Sequence, residues 1–211
     1  MKKKLNGYYN YTVVLTYLGM ISGFSGITFV LEGRIRPALI CLMIAGIFDM
    51  FDGAVASTRN RTESEKRFGI QIDSLSDLIC FGVLPALITY CLCRKSPLSF
   101  VIGGLYALCA LIRLAYFNVM EEERQSQETG RRSRYDGLPV TSSALLFPAF
   151  FIVGQLAPIS EPTVILIATG AMAVAFVLPF PVRKPHLLGQ ILMTLMGLLV
   201  LAALFLVGSP V

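Results

Sequence analysis

Of the chain's 211 residues, 55% are hydrophobic and 15% charged, with a mean hydropathy of +0.70 and a formal net charge of +5. Water-soluble domains carry about 25% charged residues, so the composition excludes an ordinary soluble globular domain. The basic balance is not accompanied by an aromatic-interleaved basic stripe, which argues against nucleic acid as a partner and for attraction to anionic lipid headgroups.

The apolar residues gather in blocks long enough to cross a bilayer, which takes about 20 residues as a helix. A short basic segment, 1–10, leads into seven predicted spans: Tyr11–Leu31, Arg36–Ser57, Phe68–Cys93, Leu98–Met120, Pro139–Ala157, Pro162–Phe180 and Leu187–Val207. The first follows Lys2, Lys3 and Lys4 without a small-residue cleavage site, so it reads as a retained anchor with Tyr8, Tyr9 and Tyr11 in the interfacial belt. Pro85, Pro148 and Pro179 fall within spans and are expected to kink them. With the amino terminus inside, the inner segments hold 13 of the 18 basic residues and the outer loops hold Arg34, Arg36, Arg94 and Lys95. Arg113 alone lies within a span. This bias predicts a cytoplasmic amino terminus and an external carboxyl terminus.

One long polar stretch, Glu121–Leu138, separates spans four and five and reads as a connector rather than a domain. The five cysteines all lie in apolar blocks and the single histidine, His186, in a basic loop. None offers the four ligands of a structural zinc site. No internal repeat and no matching pair of broken segments is visible, which lowers a repeat-built transporter.

The chemistry concentrates in the acids. Four of the five aspartates lie in or at the ends of spans: Asp49 and Asp52 at the end of span two, Asp73 and Asp77 near the start of span three. Spacings of three and four put each pair on one helix face. A link of about ten residues makes the two helices antiparallel neighbours, so the faces can converge. A charged aspartate at membrane depth costs on the order of 2.5–3.5 kcal/mol, and like charges close together repel further. Hard divalent cations with oxygen ligands, Mg²⁺, Mn²⁺ or Ca²⁺, offset both. Two such ions would balance four carboxylates. Gly53 and Gly69 stand beside the acids, where a missing side chain lets backbone approach a ligand.

The stretch D-M-F-D-G-A-V-A from Asp49 to Ala56, followed by G-I-Q-I-D-S-L-S-D from Gly69 to Asp77, resembles the DxxDGxxAR…GxxxDxxxD signature of the CDP-alcohol phosphotransferases. The wording of Ile112–Asn118 and Gly137–Val140 is similar to that of the bacterial phosphatidylserine synthases within that family. The likeness runs from Tyr11 to about Pro181. It implies an all-α, polytopic transmembrane helix bundle: a six-helix core over 11–182 plus one C-terminal helix in 183–211, paired as a homodimer, with the site open to the cytosol. By the same resemblance Asp49, Asp52, Asp73 and Asp77 are the metal aspartates and Asp77 is the general base. Asp52, Gly53, Ala56, Ser57, Gly69 and Asp73 line the cytidine nucleotide. Ser57 departs from the pattern, since the family has arginine there, and Arg59 or Arg61 is placed to reach back in its stead. The implied reaction transfers the phosphatidyl group of CDP-diacylglycerol to the hydroxyl of L-serine in the plasma membrane. Candidates for holding phosphate or acceptor are Arg59, Arg61, Arg113, Asn118 and Arg134.

Other readings stay open on sequence alone. Another acceptor such as glycerol 3-phosphate or an inositol phosphate fits the clustered Arg131, Arg132 and Arg134. A cation transporter would use the same carboxylates, and a non-catalytic binder of CDP-lipids draws on Ser57.

Overall fold

The computed structural model describes residues 6–127, 134–183 and 187–206, with the backbone alone for 124–127, 134–136, 181–183 and 187–193. Lys2–Lys4, Arg131, Arg132, Lys184 and His186 therefore lie outside the described residues, as does the side chain of Arg134.

Among the described residues, eight α-helical segments follow in chain order: α1 (Val14–Leu31), α2 (Ile35–Ala56), α3 (Glu63–Asp77), α4 (Leu84–Leu92), α5 (Pro97–Gln127), α6 (Ser143–Leu156), α7 (Glu161–Val177) and α8 (Leu187–Leu206). A π-helical turn, Leu78–Val83, joins α3 to α4 without a break, so the eight segments make the seven rods expected of the seven apolar blocks. The stretches 11–31, 35–56, 63–92 and 97–123 are long and apolar enough to cross a membrane, and shorter apolar helices cover 140–156, 161–177 and 194–206. The protein is a multi-pass integral membrane helix bundle.

Local chemistry fixes the ends. Gly33, with φ of 77°, closes α1 by the left-handed turn that glycine adopts without cost, and the Arg34 N–H donates to Phe29 O at 2.8 Å. Thr62 caps α3 in a reciprocal box with Glu65. That box starts α3 at Glu63, five residues before the apolar span, because hydropathy marks where lipid begins and not where a helix does. The link between α2 and α3 is accordingly six residues, 57–62, shorter than the sequence suggests. Pro148 lies inside α6, whereas Pro179 falls just past the end of α7 and bends no helix.

Between helices in lipid, close packing and satisfied polar groups replace the hydrophobic effect as the cohesive force. α1 lies along α2 and crosses the π turn. A Cβ at Gly23 would sit 2.4 Å from Cys80 Sγ, and one at Gly46 would sit 2.5 Å from the Ala144 Cβ, so α1 approaches the π turn, and α2 approaches α6, as near as they do only because these positions are glycine. Leu39, Leu42, Phe81, Leu84, Ile88, Tyr106, Phe147 and Ile165 form the buried centre. Thr89 of α4 and Thr169 of α7 share a hydrogen bond of 2.7 Å there. α8 packs on α6, with lesser contact to α2.

Among the described residues, two short strands stand apart from the helices. β1 (Arg134–Asp136) pairs antiparallel with β2 (Pro181–Arg183), Tyr135 opposite Val182. This ribbon ties the connector after α5 to the segment after α7. Beside it, Gly137 takes a φ of 76° and its N–H donates to Phe180 O at 2.7 Å.

Candidate metal-binding site

The carboxyl-terminal turns of α2 and the body of α3 meet α1 in a cleft whose lining includes Thr16, Asp49, Asp52, Asp73, Ser76 and Asp77. Carboxylate oxygens of Asp49, Asp52 and Asp73 all lie within 4.8 Å of one another. Asp77 borders the same cleft, within side-chain hydrogen-bonding reach of Asp49, as Asp52 is of Asp73. The convergence inferred from spacings of three and four is thus realised across two helices. All four acids are half-buried. The clustered carboxylates offer oxygen donors and several negative charges, which fits hard divalent cations.

The surroundings hold the acids in place. Thr16 of α1 donates to Asp52 Oδ2 at 3.3 Å, and Ser76, one residue before Asp77, donates to Thr16 O at 3.4 Å. α1 therefore contributes to the cleft, a role the sequence motifs do not announce. The signal was a threonine that α1 buries although the span around it is apolar. Ser74, next to Asp73, donates to Asn118 Oδ1 at 2.8 Å and fastens α3 to α5.

The glycines differ from those in the helix interfaces. A Cβ at Gly53 would meet nothing within 4 Å, and one at Gly69 would meet only Arg61 Nη1, at 3.0 Å. Ala56 is the last residue of α2, and Ser57 turns its hydroxyl back to Ala54 O at 2.7 Å, closing the helix end. The two link arginines go different ways. Arg59 pairs with Glu65 at 3.5 Å, while Arg61 lies against Gly69, on the side of the cleft that carries the motif glycines.

Arg113 is buried, 6% exposed, and donates to Phe176 O and Gly137 O at 3.2 Å each, with its guanidinium 4.4 Å from the centre of the Phe117 ring. Two of its donors thus serve the end of α7 and the turn after β1. The sequence marks this residue as the one basic residue inside a span. Only the fold reveals these carbonyl partners.

A membrane helix bundle with an oxygen-donor cluster where two of its helices meet defines a class, that of integral membrane proteins with the ligands for a metal ion. The comparison with known sequences narrows it. The family described as CDP-alcohol phosphatidyltransferase matches residues 9–207, and the chain belongs to that family. The match extends over α8, beyond the reach of the motif likeness. Among relatives, an archaetidylserine synthase of Methanothermobacter thermautotrophicus is 30% identical over 174 residues, 82% of this chain and 70% of that protein. CDP-diacylglycerol–serine O-phosphatidyltransferases of Mycobacterium bovis and Saccharomyces cerevisiae are each 33% identical, over 62% of this chain and 45% and 50% of theirs. The chain spans about half the length of these last two.

Proposed function

We propose that the protein transfers the phosphatidyl group of CDP-diacylglycerol to the hydroxyl of L-serine, releasing CMP and forming phosphatidylserine. The observation that carries this is the gathering of Asp49, Asp52 and Asp73 within 4.8 Å, with Asp77 on Asp49. Family membership and the serine-transferring names of the relatives support the choice of donor and acceptor.

Asp49, Asp52, Asp73 and Asp77 would hold two divalent ions, Mg²⁺ or Mn²⁺ with Ca²⁺ a third candidate, and such ions when bound neutralise a pyrophosphate and favour in-line displacement at phosphorus. The cytidine end would lie along α2 and the start of α3, where Gly53 and Gly69 leave backbone open and Asp52, Ala56, Ser57 and Asp73 complete the wall. Arg61, against Gly69, is the better placed of the two link arginines to meet phosphate, since Arg59 is engaged with Glu65. Asp77 takes the proton of the serine hydroxyl. The hydroxyl oxygen then bonds to the lipid-bearing phosphorus, and the bond from that phosphorus to the CMP oxygen breaks. Asn118, braced on Ser74 beside Asp73, and Arg134 are the acceptor-side candidates. Arg113 is better suited to holding the Gly137 turn, given its two carbonyl partners.

The distribution of basic residues supports an amino terminus and a cleft on the cytosolic face, and we assign the plasma membrane as the site of action. We assign residues 11–182 as the catalytic core, 183–211 as an added membrane helix, and a homodimer as the working form among membrane lipids.

The test is CMP release by the purified chain with CDP-diacylglycerol and a panel of alcohols. L-serine with Mg²⁺ or Mn²⁺ is expected to support release. Release driven instead by glycerol 3-phosphate or an inositol phosphate reassigns the acceptor. Metal-dependent ion flux across vesicles with no CMP formed replaces the enzyme reading by a transporter.

A further inference from the structure

The helix that carries Asp73 and Asp77 is not α-helical throughout. Over Leu78–Val83 it widens to π, and the Leu84 N–H donates five residues back to Ile79 O. Pro85 is the reason on the sequence side. It has no N–H to give to Phe81 O, four residues before it, and its ring crowds that carbonyl. The Phe81 carbonyl is satisfied from the side instead. Tyr106 of α5 donates its hydroxyl proton to it at 2.9 Å, and Ser143 Oγ, whose nearer acceptor is Val140 O at 2.7 Å, lies 3.4 Å away. Tyr106 and Ser143 are wholly buried, and the Tyr106 ring is held between Phe147 and Phe176, with centroids 5.7 and 5.1 Å away.

This turn has a geometric effect on the cleft. A π turn takes up one residue more than an α turn, and each residue of an α-helix advances about 100° around the axis. Beyond the turn, rotation is fixed by buried Leu84 and Ile88 and by the Thr89–Thr169 hydrogen bond. Before the turn lie Asp73 and Asp77. An uninterrupted α-helix with the same seating of α4 would therefore carry both carboxylates roughly a quarter-turn away from α2, at about 100°. π turns of this kind are frequent at functional sites.

We propose that Pro85 and Tyr106 are positioning residues for the acid cluster: they hold the helix in π register at Phe81, and that register aims Asp73 and Asp77 at Asp49 and Asp52. The inference rests on the reading of the cluster as a divalent-cation site. It assigns work to two residues that touch neither cation nor substrate, one of them more than 25 positions from the nearest aspartate in sequence.

The test is a Mn²⁺ titration of the detergent-purified full-length chain, followed by the electron paramagnetic resonance of free Mn²⁺, with thermal unfolding measured on the same samples. Pro85→Ala supplies the missing N–H and lets the α register compete. It is expected to weaken Mn²⁺ binding about tenfold, as loss of an outer-shell support does, with an unfolding midpoint equal to or above that of the wild type. Tyr106→Phe keeps the ring packing and removes only the hydroxyl, so it remains informative if Pro85→Ala does not fold. It is expected to weaken binding in the same direction. Ser99→Ala, which removes a buried hydroxyl bonded to Ser96 O at the start of α5 and plays no part in the register, is expected to lower the midpoint and leave Mn²⁺ binding unchanged. Wild-type Mn²⁺ affinity in both Pro85→Ala and Tyr106→Phe overturns this inference alone. A wild-type chain that binds no Mn²⁺ overturns it together with the functional reading.

Discussion

Two regions of the bundle treat polar groups in opposite ways. Where α4, α5 and α7 meet, each buried polar group has a neutral complement: Thr89 with Thr169, Tyr106 with Phe81 O. Where α2 and α3 meet, carboxylates face carboxylates. The first arrangement is what burial in a low-dielectric interior demands of any polar group. The second opposes stability, since like charges repel and desolvation penalises each of them. A pattern that holds the fold together and one that works against it sit in the same molecule, and the second is explained by what it binds.

The sharpest way to break that comparison is to remove what the carboxylates are thought to hold. Chelation of divalent ions is expected to abolish CMP release, with recovery on adding Mg²⁺ or Mn²⁺; turnover that survives chelation would leave the acid cluster without its explanation. Asp77→Asn is expected to lower turnover by about 10²–10⁴-fold, the usual contribution of a general base, while CDP-lipid binding persists. Asp49→Asn, by contrast, is expected to lose Mn²⁺ and nucleotide binding together. Equal behaviour of the two variants would remove the distinction between base and ligand. Thr16→Val keeps the shape of the side chain and deletes the donor to Asp52; a rise of about tenfold in the metal concentration for half-maximal activity is expected, read from a Mg²⁺ titration. The glycines sharpen the contrast further. Gly53→Val is expected to fold normally and to raise KM for CDP-diacylglycerol, because the space beside it is open. Gly23→Val is expected to lower the unfolding temperature, because a Cβ there meets Cys80. The smallest effect belongs to Thr62→Ala, which removes the α3 cap at a cost of about 1 kcal/mol, measured as a shift in the unfolding midpoint.

Much of this was legible beforehand, and the reasons differ by residue. The rods could be read because a span in lipid must be continuously apolar, and the acid pairs because charge at that depth is too costly to be incidental. Spacing put Asp49 with Asp52 and Asp73 with Asp77 on one face of each helix, and the short link let the two faces converge. Thr16 was not legible, since a threonine in a helix looks the same whether it meets a carboxylate or its own backbone. The π turn was hidden for a related reason: Pro85 announces a disturbed helix, but the outcome depends on Tyr106, which only tertiary packing brings to the Phe81 carbonyl. The start of α3 was misplaced because a capping box adds a polar turn that hydropathy does not count. Arg113 stood out in the sequence as the one basic residue within a span, while its carbonyl partners on α7 and at Gly137 became visible only with the fold.

Glu65 joins more of the chain than its place in a capping box suggests. Its carboxylate accepts from the Thr62 N–H and from Asn10 Nδ2, and it pairs with Arg59. Three stretches that the chain visits separately, the approach to α1, the link after α2 and the first turn of α3, are knotted at one side chain. Loss of that one carboxylate therefore slackens all three stretches at once rather than any one of them alone.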